Sequence, residues 1–127
     1  MRLLVEQVQE EGSQQSTNKA LIFKFNRMVW NEVRFDKLDN FLHEDFVDYS
    51  IPIKSLQNRI GMKLYLEKLR STLVYYTCIK NIVEYDDLVI CEFNLVWHRG
   101  GDTGNLTGLR IFRIKSNKIL HHWEVID

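Results

Sequence analysis

The hydrophobic period of this chain changes once, near residue 73, and that change limits the possible folds more than any other feature. Before it, apolar residues recur every three or four positions, as on one face of an α-helix; after it they alternate, as along a β-strand. The stretch KALIFKFNRMVWNEVRF predicts a first helix with its N-cap at Thr17 or Asn18. Its apolar stripe comprises Leu21, Ile22, Phe25, Met28 and Val29.

Two more helices are predicted before the period changes. Asp36 is the expected N-cap of a short second helix, and the stretch EDFVDYS that follows it predicts a brief strand. A loop around Pro52 then leads to the third helix, NRIGMKLYLEKLRSTL. The second helix carries the apolar residues Leu38, Phe41 and Leu42, and the third carries Ile60, Leu64, Leu66, Leu69 and Leu73.

After residue 73 the sequence predicts four strands separated by polar turns. Helices followed by a run of antiparallel strands indicate an α+β fold, with the three N-terminal helices packed on one face of a curved antiparallel sheet. The predicted strands are YTCIKNIVEY, DLVICEFNLVWHR, GLRIFRI and KILHHWEVID, and the turns are DD, GGDTGN and KSN. The second strand buries one face, which carries Cys91, Phe93, Leu95 and Trp97.

The chain has the length of one domain. Its 127 residues include a single proline, and 45% are hydrophobic, which is typical of a globular protein with one core. Residues 18–127 form the predicted domain, and residues 1–17 are expected to be a flexible lead-in or a short helix.

Charge and hydropathy argue against several kinds of partner. The 17 basic and 17 acidic residues cancel and are interspersed, so no basic surface for nucleic acid is expected. No stretch approaches a membrane span and no export signal is visible, so we expect no membrane partner and a cytoplasmic location. Cys78 and Cys91 lie in predicted strands without CxxC spacing, which favours buried thiols over a disulfide.

The turn KSN determines which side chains of the last hairpin share a face. A three-residue loop with Asn117 in the left-handed region pairs Ile114 with Lys118, whereas a two-residue loop aligns Arg110 with Trp123. We favour the three-residue loop because asparagine tolerates the left-handed conformation better than serine or lysine. The inner face then carries Arg110, Phe112, Ile114, Leu120, His122, Glu124 and Ile126.

Two blocks of the sequence resemble one known family. Residues 18–50, with Val-Trp-Asn at the end of the first helix and then Leu-Asp and Asp-Phe-Val-Asp, are similar to the opening of SnoaL-like polyketide cyclases. Residues 108–127, with Ile-Phe-Arg-Ile, a turn and His-Trp-Glu-Val-Ile-Asp, resemble their closing hairpin. The resemblance implies the cone-shaped barrel of the nuclear transport factor two-like superfamily, with a cavity at its wide end and a homodimer through the outer sheet face.

The resemblance also implies roles for single residues. In the characterised cyclases an acidic residue just after the His-Trp pair is the general acid/base, and here that position is Glu124. A second cavity residue lies on the preceding strand, where this chain has Arg110 in place of a neutral or acidic group. Asn31 ends the Val-Trp-Asn motif, and Tyr49 stands where a histidine is common. Tyr49 is expected to polarise an enol oxygen, and Asn31 either to bind a ligand carbonyl or to cap its helix.

Glu124 has two interpretations. Burial among Phe112, Leu120 and Trp30 would favour its protonated form, whereas contact with Arg110 would favour the carboxylate. Because the two effects are similar in size, the sequence leaves open whether Glu124 moves a proton or is half of a structural ion pair.

Other residues are expected around the same cavity. His121 and His122 are adjacent on a strand and point to opposite faces, so they cannot share one metal ion, and we expect neither a metal nor a cofactor. His122 is expected to orient its neighbours and His98 to lie at the rim. The candidate ligand-binding residues are Trp30, Asn31, Phe112, His122, Trp123 and His98.

The sequence leaves two main classes of function open. The first is a cofactor-free cyclase or isomerase for a small hydrophobic carbonyl compound, in which Glu124 moves the proton and Tyr49, Asn31 or Arg110 holds the oxygen. The second is a non-catalytic module that binds a small ligand or serves as a dimeric scaffold. A partner-binding role like that of the transport factor is a third possibility.

Overall fold

Three helices and a five-stranded sheet make up residues 16–127, the part of the chain that the computed structural model describes, and the first strand precedes the third helix. Most of the predicted lead-in, residues 1–15, lies outside the described residues. The elements are α1 (Thr17–Phe25) with a π-helical turn (Asn26–Asn31), a 3-10 turn (Phe35–Lys37), α2 (Leu38–Phe41), β1 (Leu42–Asp48), a 3-10 turn (Lys54–Leu56), α3 (Arg59–Thr72), β2 (Val74–Tyr85), β3 (Leu88–Arg99), β4 (Asp102–Lys115) and β5 (Lys118–Ile126).

The first helix forms as predicted, but its cap is one residue earlier. Ser16 is the N-cap, and its Oγ accepts a hydrogen bond from the backbone N–H of Lys19 at 3.1 Å. Its hydroxyl also donates to the carboxylate of Glu84 on β2, to which the side chain of Asn18 donates as well. The predicted stripe faces the core, with Ile22, Phe25 and Val29 buried and Leu21 and Met28 packed at its edge.

The predicted apolar face of α3 is partly wrong. Ile60 and Leu64 are 72% and 52% exposed, although Leu66 is buried as expected. A methyl group on Gly61 would lie 1.7 Å from the carbonyl oxygen of Leu56, so the backbones meet there and set the rotation of the helix. The residues that this rotation turns inward are Gly61, Met62 and Leu66.

The sheet is open and mixed. Its strand order is β1-β5-β4-β3-β2, so β1 and β2 are the edges. The strands from β2 to β5 are antiparallel, whereas β1 runs parallel to β5. The predicted α+β class is confirmed, and the parallel edge is the departure from the antiparallel sheet expected. It arises because the chain crosses from β1 through α3 and the rest of the sheet before β5 returns beside it.

The stretch GGDTGN is mostly strand, not the loop that its composition predicts. Only Gly100 and Gly101 turn, with φ at +61° for Gly100, and Arg99 pairs with Asp102. Gly104 is opposite Trp97, and a Cβ at this position would lie 2.2 Å from the indole ring. The glycine therefore lies in the strand because an aromatic ring of the neighbouring strand covers it.

The closing hairpin has a two-residue turn, so the predicted three-residue loop is wrong. Lys115 pairs with Lys118, and both Ser116 and Asn117 have positive φ values, 54° and 61°. An irregularity in the ladder between Arg113 and Ile114 then shifts the register, because Ile114 pairs with Ile119 and Arg113 with His121. Leu120 is the extra residue, and Ile119 replaces it on the inner face.

The bulge restores the register that the predicted loop would have given at the far end of the hairpin. Beyond it, Phe112 pairs with His122 and Arg110 with Glu124. The predicted inner face is therefore correct except at Leu120. The prediction relies on a three-residue loop, whereas the structure reaches the same pairing by a two-residue turn and a bulge. We call the face that packs on the helices the inner face, and the opposite one the outer face.

Candidate functional site

Arg110 and Glu124 form an ion pair on the inner face, at directly opposed positions of β4 and β5. The Nε of Arg110 donates to Oε2 of Glu124 at 2.9 Å. The arginine side chain is only 4% exposed and the glutamate side chain 19%. Of the two charges, the carboxylate is thus the one that a ligand or solvent can reach.

Two aromatic rings enclose the guanidinium. Its central carbon lies 3.9 Å from the ring centroid of Trp30 and 3.9 Å from that of Phe93. Nη1 also lies 3.5 Å from Oγ1 of Thr77, which is fully buried. Stacking on two π-faces is favourable for a cation withdrawn from water and leaves the arginine one orientation.

A pocket of about 170 Å³ opens beside this pair. Its walls come from α3, from β3 to β5 and from the end of the π-helical turn, and apart from the ion pair they are aromatic or aliphatic. The lining residues are Trp30, Tyr65, Leu69, Leu73, Phe93, Leu95, Trp97, Leu106, Arg110, Glu124 and Ile126. Oε2 of Glu124 is held by Arg110, and no donor within residues 16–127 pairs with Oε1.

Trp30 reaches the pocket because the first helix ends in a π-helical turn that is fastened to the edge of the sheet. Asn31 accepts from the backbone N–H of Thr77 at 2.8 Å and donates to its carbonyl at 2.8 Å. Asn26 donates to the same carbonyl at 3.2 Å. The amide of Asn31 thus takes the place of a sixth strand on the open edge at β2, and this engagement argues against the predicted ligand role.

A second buried acid–base pair, Asp48 and His122, lies on the inner face where β1 meets β5. Nδ1 of His122 is 2.9 Å from Oδ1 of Asp48, and the two residues are 3% and 2% exposed. The same oxygen accepts from the backbone N–H of Ser50 at 3.0 Å and from its hydroxyl at 2.5 Å. Burial opposes ionisation of Asp48, but these hydrogen bonds and the charge of His122 together lower its pKa below the ordinary value.

Tyr49 and Trp123 lie on the outer side, away from the pocket, which corrects their predicted roles. Their rings stack with centroids 5.3 Å apart, and His121 packs edge-on against both. Tyr49 is 48% exposed, and its backbone N–H donates to the carbonyl of His122 at 2.9 Å. That hydrogen bond fixes Tyr49 beside β5 with its ring on the face opposite to Glu124.

His98 and Phe112 also lie away from the pocket. His98 is exposed on the outer face near the end of β3. Phe112 is on the inner face as predicted, but it is core, packed between the rings of Phe25 and His122. Of the predicted site residues, the structure therefore brings together Arg110, Glu124 and Trp30 at the pocket.

Two residues of the pocket, Tyr65 and Trp97, were not predicted as site residues. Both line the pocket, Tyr65 from α3 and Trp97 from β3. Counting back from Leu73 and Leu69 in steps of four would have found Tyr65, because residues four apart share a helix face. Burial, together with the charge of Glu124, raises the pKa of Tyr65, so its hydroxyl stays protonated at neutral pH.

The described residues meet neither the requirements of a metal site nor those of a membrane-spanning helix. Among residues 16–127, no three His, Cys, Asp or Glu side chains are grouped so that they could hold a metal ion. The helices described in the same range are all too short or too polar to cross a membrane.

Several solved structures have this architecture. A SnoaL-like polyketide cyclase from Agrobacterium tumefaciens is 14% identical over 89% of this chain and 93% of its own, with a TM-score of 0.76. The chain has the SnoaL-like fold. A candidate polyketide cyclase of Acidithiobacillus ferrooxidans is 18% identical over 91% of each chain, with a TM-score of 0.79.

The SnoaL-like fold is shared by a further kind of enzyme among these structures. An LEH-like epoxide hydrolase of M. tuberculosis is 14% identical over 91% of this chain and 86% of its own, with a TM-score of 0.75. No family model matches the sequence, and no curated protein matches it. At these identities the likeness defines the fold, and the chemistry must be argued from the site itself.

The lowered pKa of Asp48 predicts an acid-dependent loss of stability. The folded state keeps this carboxylate ionised below the ordinary value of 3.8, so it stabilises the fold above that pH, and the stabilisation is lost as the pH falls toward the folded pKa. Asp48→Asn removes this contribution but keeps an acceptor for His122 and Ser50. In urea unfolding at a series of pH values, the free-energy gap between wild type and variant should therefore be largest near neutral pH and shrink below about pH 4. A gap that stays constant down to pH 3 would show that folding does not lower the pKa of Asp48.

Proposed function

We propose that this protein binds a small, mainly apolar carbonyl compound in the pocket and that Glu124 removes a proton from the carbon beside the carbonyl. One observation carries the proposal: Arg110 fixes one oxygen of Glu124, and the other has no donor among residues 16–127, at the wall of an otherwise apolar pocket. Isomerisation, cyclisation or dehydration can follow from the enolate that this step produces.

The surroundings of Glu124 suit a general base. The pocket walls around the carboxylate are apolar, and electrostatic interactions with the reacting atoms are stronger beside such walls than in open water. Arg110 holds the carboxylate in one orientation, which removes part of the entropic cost of aligning it with a C–H bond. The base therefore needs no side-chain rearrangement before it reacts.

Tyr65 is the hydroxyl donor that the pocket offers to the developing enolate oxygen. It takes the role that the sequence assigned to Tyr49, whose ring lies on the outer face. The raised pKa of Tyr65 keeps it a donor over the pH range in which Glu124 would act as a base.

The fold supports this class of reaction without specifying it. Polyketide cyclases and an epoxide hydrolase are named among the structures that share it. Both kinds of protein act on small organic molecules, so a pocket of this size on this scaffold fits a small-molecule role. No cofactor is required by the step that we propose, because a carboxylate base and a hydroxyl donor suffice.

A non-catalytic role for the ion pair is the second candidate. Arg110 is 3% exposed, and a cation buried to this extent needs an opposite charge nearby. In that case Glu124 would serve only to neutralise Arg110, and the pocket would bind a ligand without transforming it. The two candidates differ in whether the carboxylate of Glu124 transfers a proton.

Glu124→Gln tests the base directly. We expect the variant to lose about 3 kcal/mol of unfolding free energy, because it leaves Arg110 buried without its partner. We also expect the protein-catalysed exchange of the methyl protons of acetophenone in D2O, followed by proton NMR, to fall by about 100-fold or more. The measurement is made at a temperature at which circular dichroism shows the variant to be folded.

Asp48→Asn is the matched control, since it removes the other buried carboxylate of the inner face, outside the pocket. It should lower stability but leave the exchange rate close to that of wild type. Exchange that persists unchanged in folded Glu124→Gln would reject the base and leave Arg110–Glu124 as a structural pair.

We also propose that the protein forms a homodimer through the outer sheet face. Leu109 and Val125 are paired across β4 and β5 on this face and are 39% and 53% exposed. Covering adjacent apolar side chains with a second copy removes them from water, which favours association.

Sedimentation equilibrium should therefore give twice the mass of one chain. The double substitution Leu109→Lys and Val125→Lys should shift the protein to the monomer, because the added charges would face each other in the interface. Leu64→Lys, an exposed leucine on α3, is the control and should leave the dimer intact. A wild-type protein that sediments at the mass of one chain would remove the proposal.

A further inference from the structure

We propose that the pocket selects a neutral ligand with a single ring, and that the Trp97–Gly104 cross-strand pair sets this size limit. The inference rests on the proposed function, since it concerns the ligand of the same pocket. It is carried by three observations: the volume of the pocket, the contact between Trp97 and Gly104, and the distribution of charge at the ion pair.

The volume admits one ring with a small substituent. The pocket measures about 170 Å³. A dry apolar cavity of about 150 Å³ in another protein holds benzene, which gives the scale. Two fused rings with a substituent exceed this space, so part of such a ligand would project from the mouth of the pocket into water unless a wall residue moved. Packed walls resist such movement because neighbouring side chains already fill the space around them.

Trp97 is the wall residue whose position depends on one glycine. It pairs with Gly104 across β3 and β4, and a Cβ on Gly104 would lie 2.2 Å from Cε2 and Cζ2 of the indole and 2.5 Å from Nε1. The indole thus lies directly against the backbone of β4, in space that any other residue would occupy. Gly104 consequently sets the position of the indole ring, and the ring forms one wall of the pocket.

The charges of the pocket oppose a charged ligand. Arg110 and Glu124 are its charged lining residues, and they neutralise each other. The guanidinium is covered on both faces by Trp30 and Phe93, so a ligand carboxylate would meet the more exposed Glu124 first and be repelled. A ligand ammonium would lose its hydration and gain a carboxylate that Arg110 already neutralises. A neutral ketone incurs neither cost.

A binding panel measured by isothermal titration calorimetry tests the proposal. The probes are acetophenone (one ring, neutral), benzoate (one ring, anionic), benzylamine (one ring, cationic) and 2-acetonaphthone (two rings, neutral). Wild type should bind acetophenone about 10-fold or more tightly than each of the other three. Trp97→Ala, or Trp97→Leu where the alanine variant is poorly folded, should reduce or reverse the preference for acetophenone over 2-acetonaphthone while leaving that over benzoate in place.

A double-mutant cycle assigns the effect to the pair. Gly104→Ala should change the affinity for acetophenone in wild type, because the added methyl displaces the indole, and should have little effect in Trp97→Ala, where no indole remains. Equal effects of Gly104→Ala in both backgrounds would overturn the role of the pair.

The panel separates failure of this inference from failure of the proposed function. Tight binding of 2-acetonaphthone or benzoate by wild type, equal to that of acetophenone, would overturn the selection of a neutral single ring while supporting a ligand-binding pocket. Binding of none of the four probes to wild type or to Trp97→Ala would overturn the pocket as a small-molecule site, and the inference with it.

Discussion

The burial of Arg110 is the constraint on which the rest of the site depends. A guanidinium withdrawn from water requires an opposite charge and polarisable surroundings, and here Glu124 supplies the first and the rings of Trp30 and Phe93 supply the second. Each of these partners comes from a different part of the chain, so the arginine connects the first helix to three strands. The same contacts leave a carboxylate oxygen at the wall of an apolar pocket, and this links stability to the proposed chemistry.

The inner face carries two buried acid–base pairs that differ in their surroundings. Asp48 and His122 are both almost fully buried, and Ser50 adds hydrogen bonds to the carboxylate, so that pair is built as a structural connection between β1 and β5. Glu124 faces the pocket, and one of its oxygens has no donor in the described part of the chain. The two pairs differ in exposure because the edge strand β1 lies beside His122 and covers it, whereas β1 does not extend to Glu124.

The architecture could be predicted because periodicity reports burial, but the details of the closing hairpin could not. The sequence indicated the α+β order, the buried face of β3 and the ion pair between Arg110 and Glu124. The predicted turn was one residue longer than the observed turn at Ser116 and Asn117. The bulge at Leu120 shifts the register by one residue, so the pairing beyond it is the predicted one. A bulge depends on how the hairpin packs against the core, which local residue preferences do not contain.

The candidate site was predicted in part for a similar reason. Single residues with a polar side chain attract functional interpretations, yet Asn31 is used to cover an open strand edge and Tyr49 stacks on the outer face. Both outcomes depend on the order of strands in the sheet. Tyr65 was not predicted because the expected stripe runs through Ile60 and Leu64, whereas the contact of Gly61 with the preceding turn sets the rotation of α3.

The central claim is that the void beside Arg110 and Glu124 receives a small ligand. The three tryptophans of the chain offer a direct test, because Trp30 and Trp97 line this pocket and Trp123 lies on the outer face. In fluorine NMR of protein labelled with 5-fluorotryptophan, titration with acetophenone should shift the resonances of Trp30 and Trp97 and leave that of Trp123 in place. A titration that moves only Trp123, or none of the three, would contradict the account.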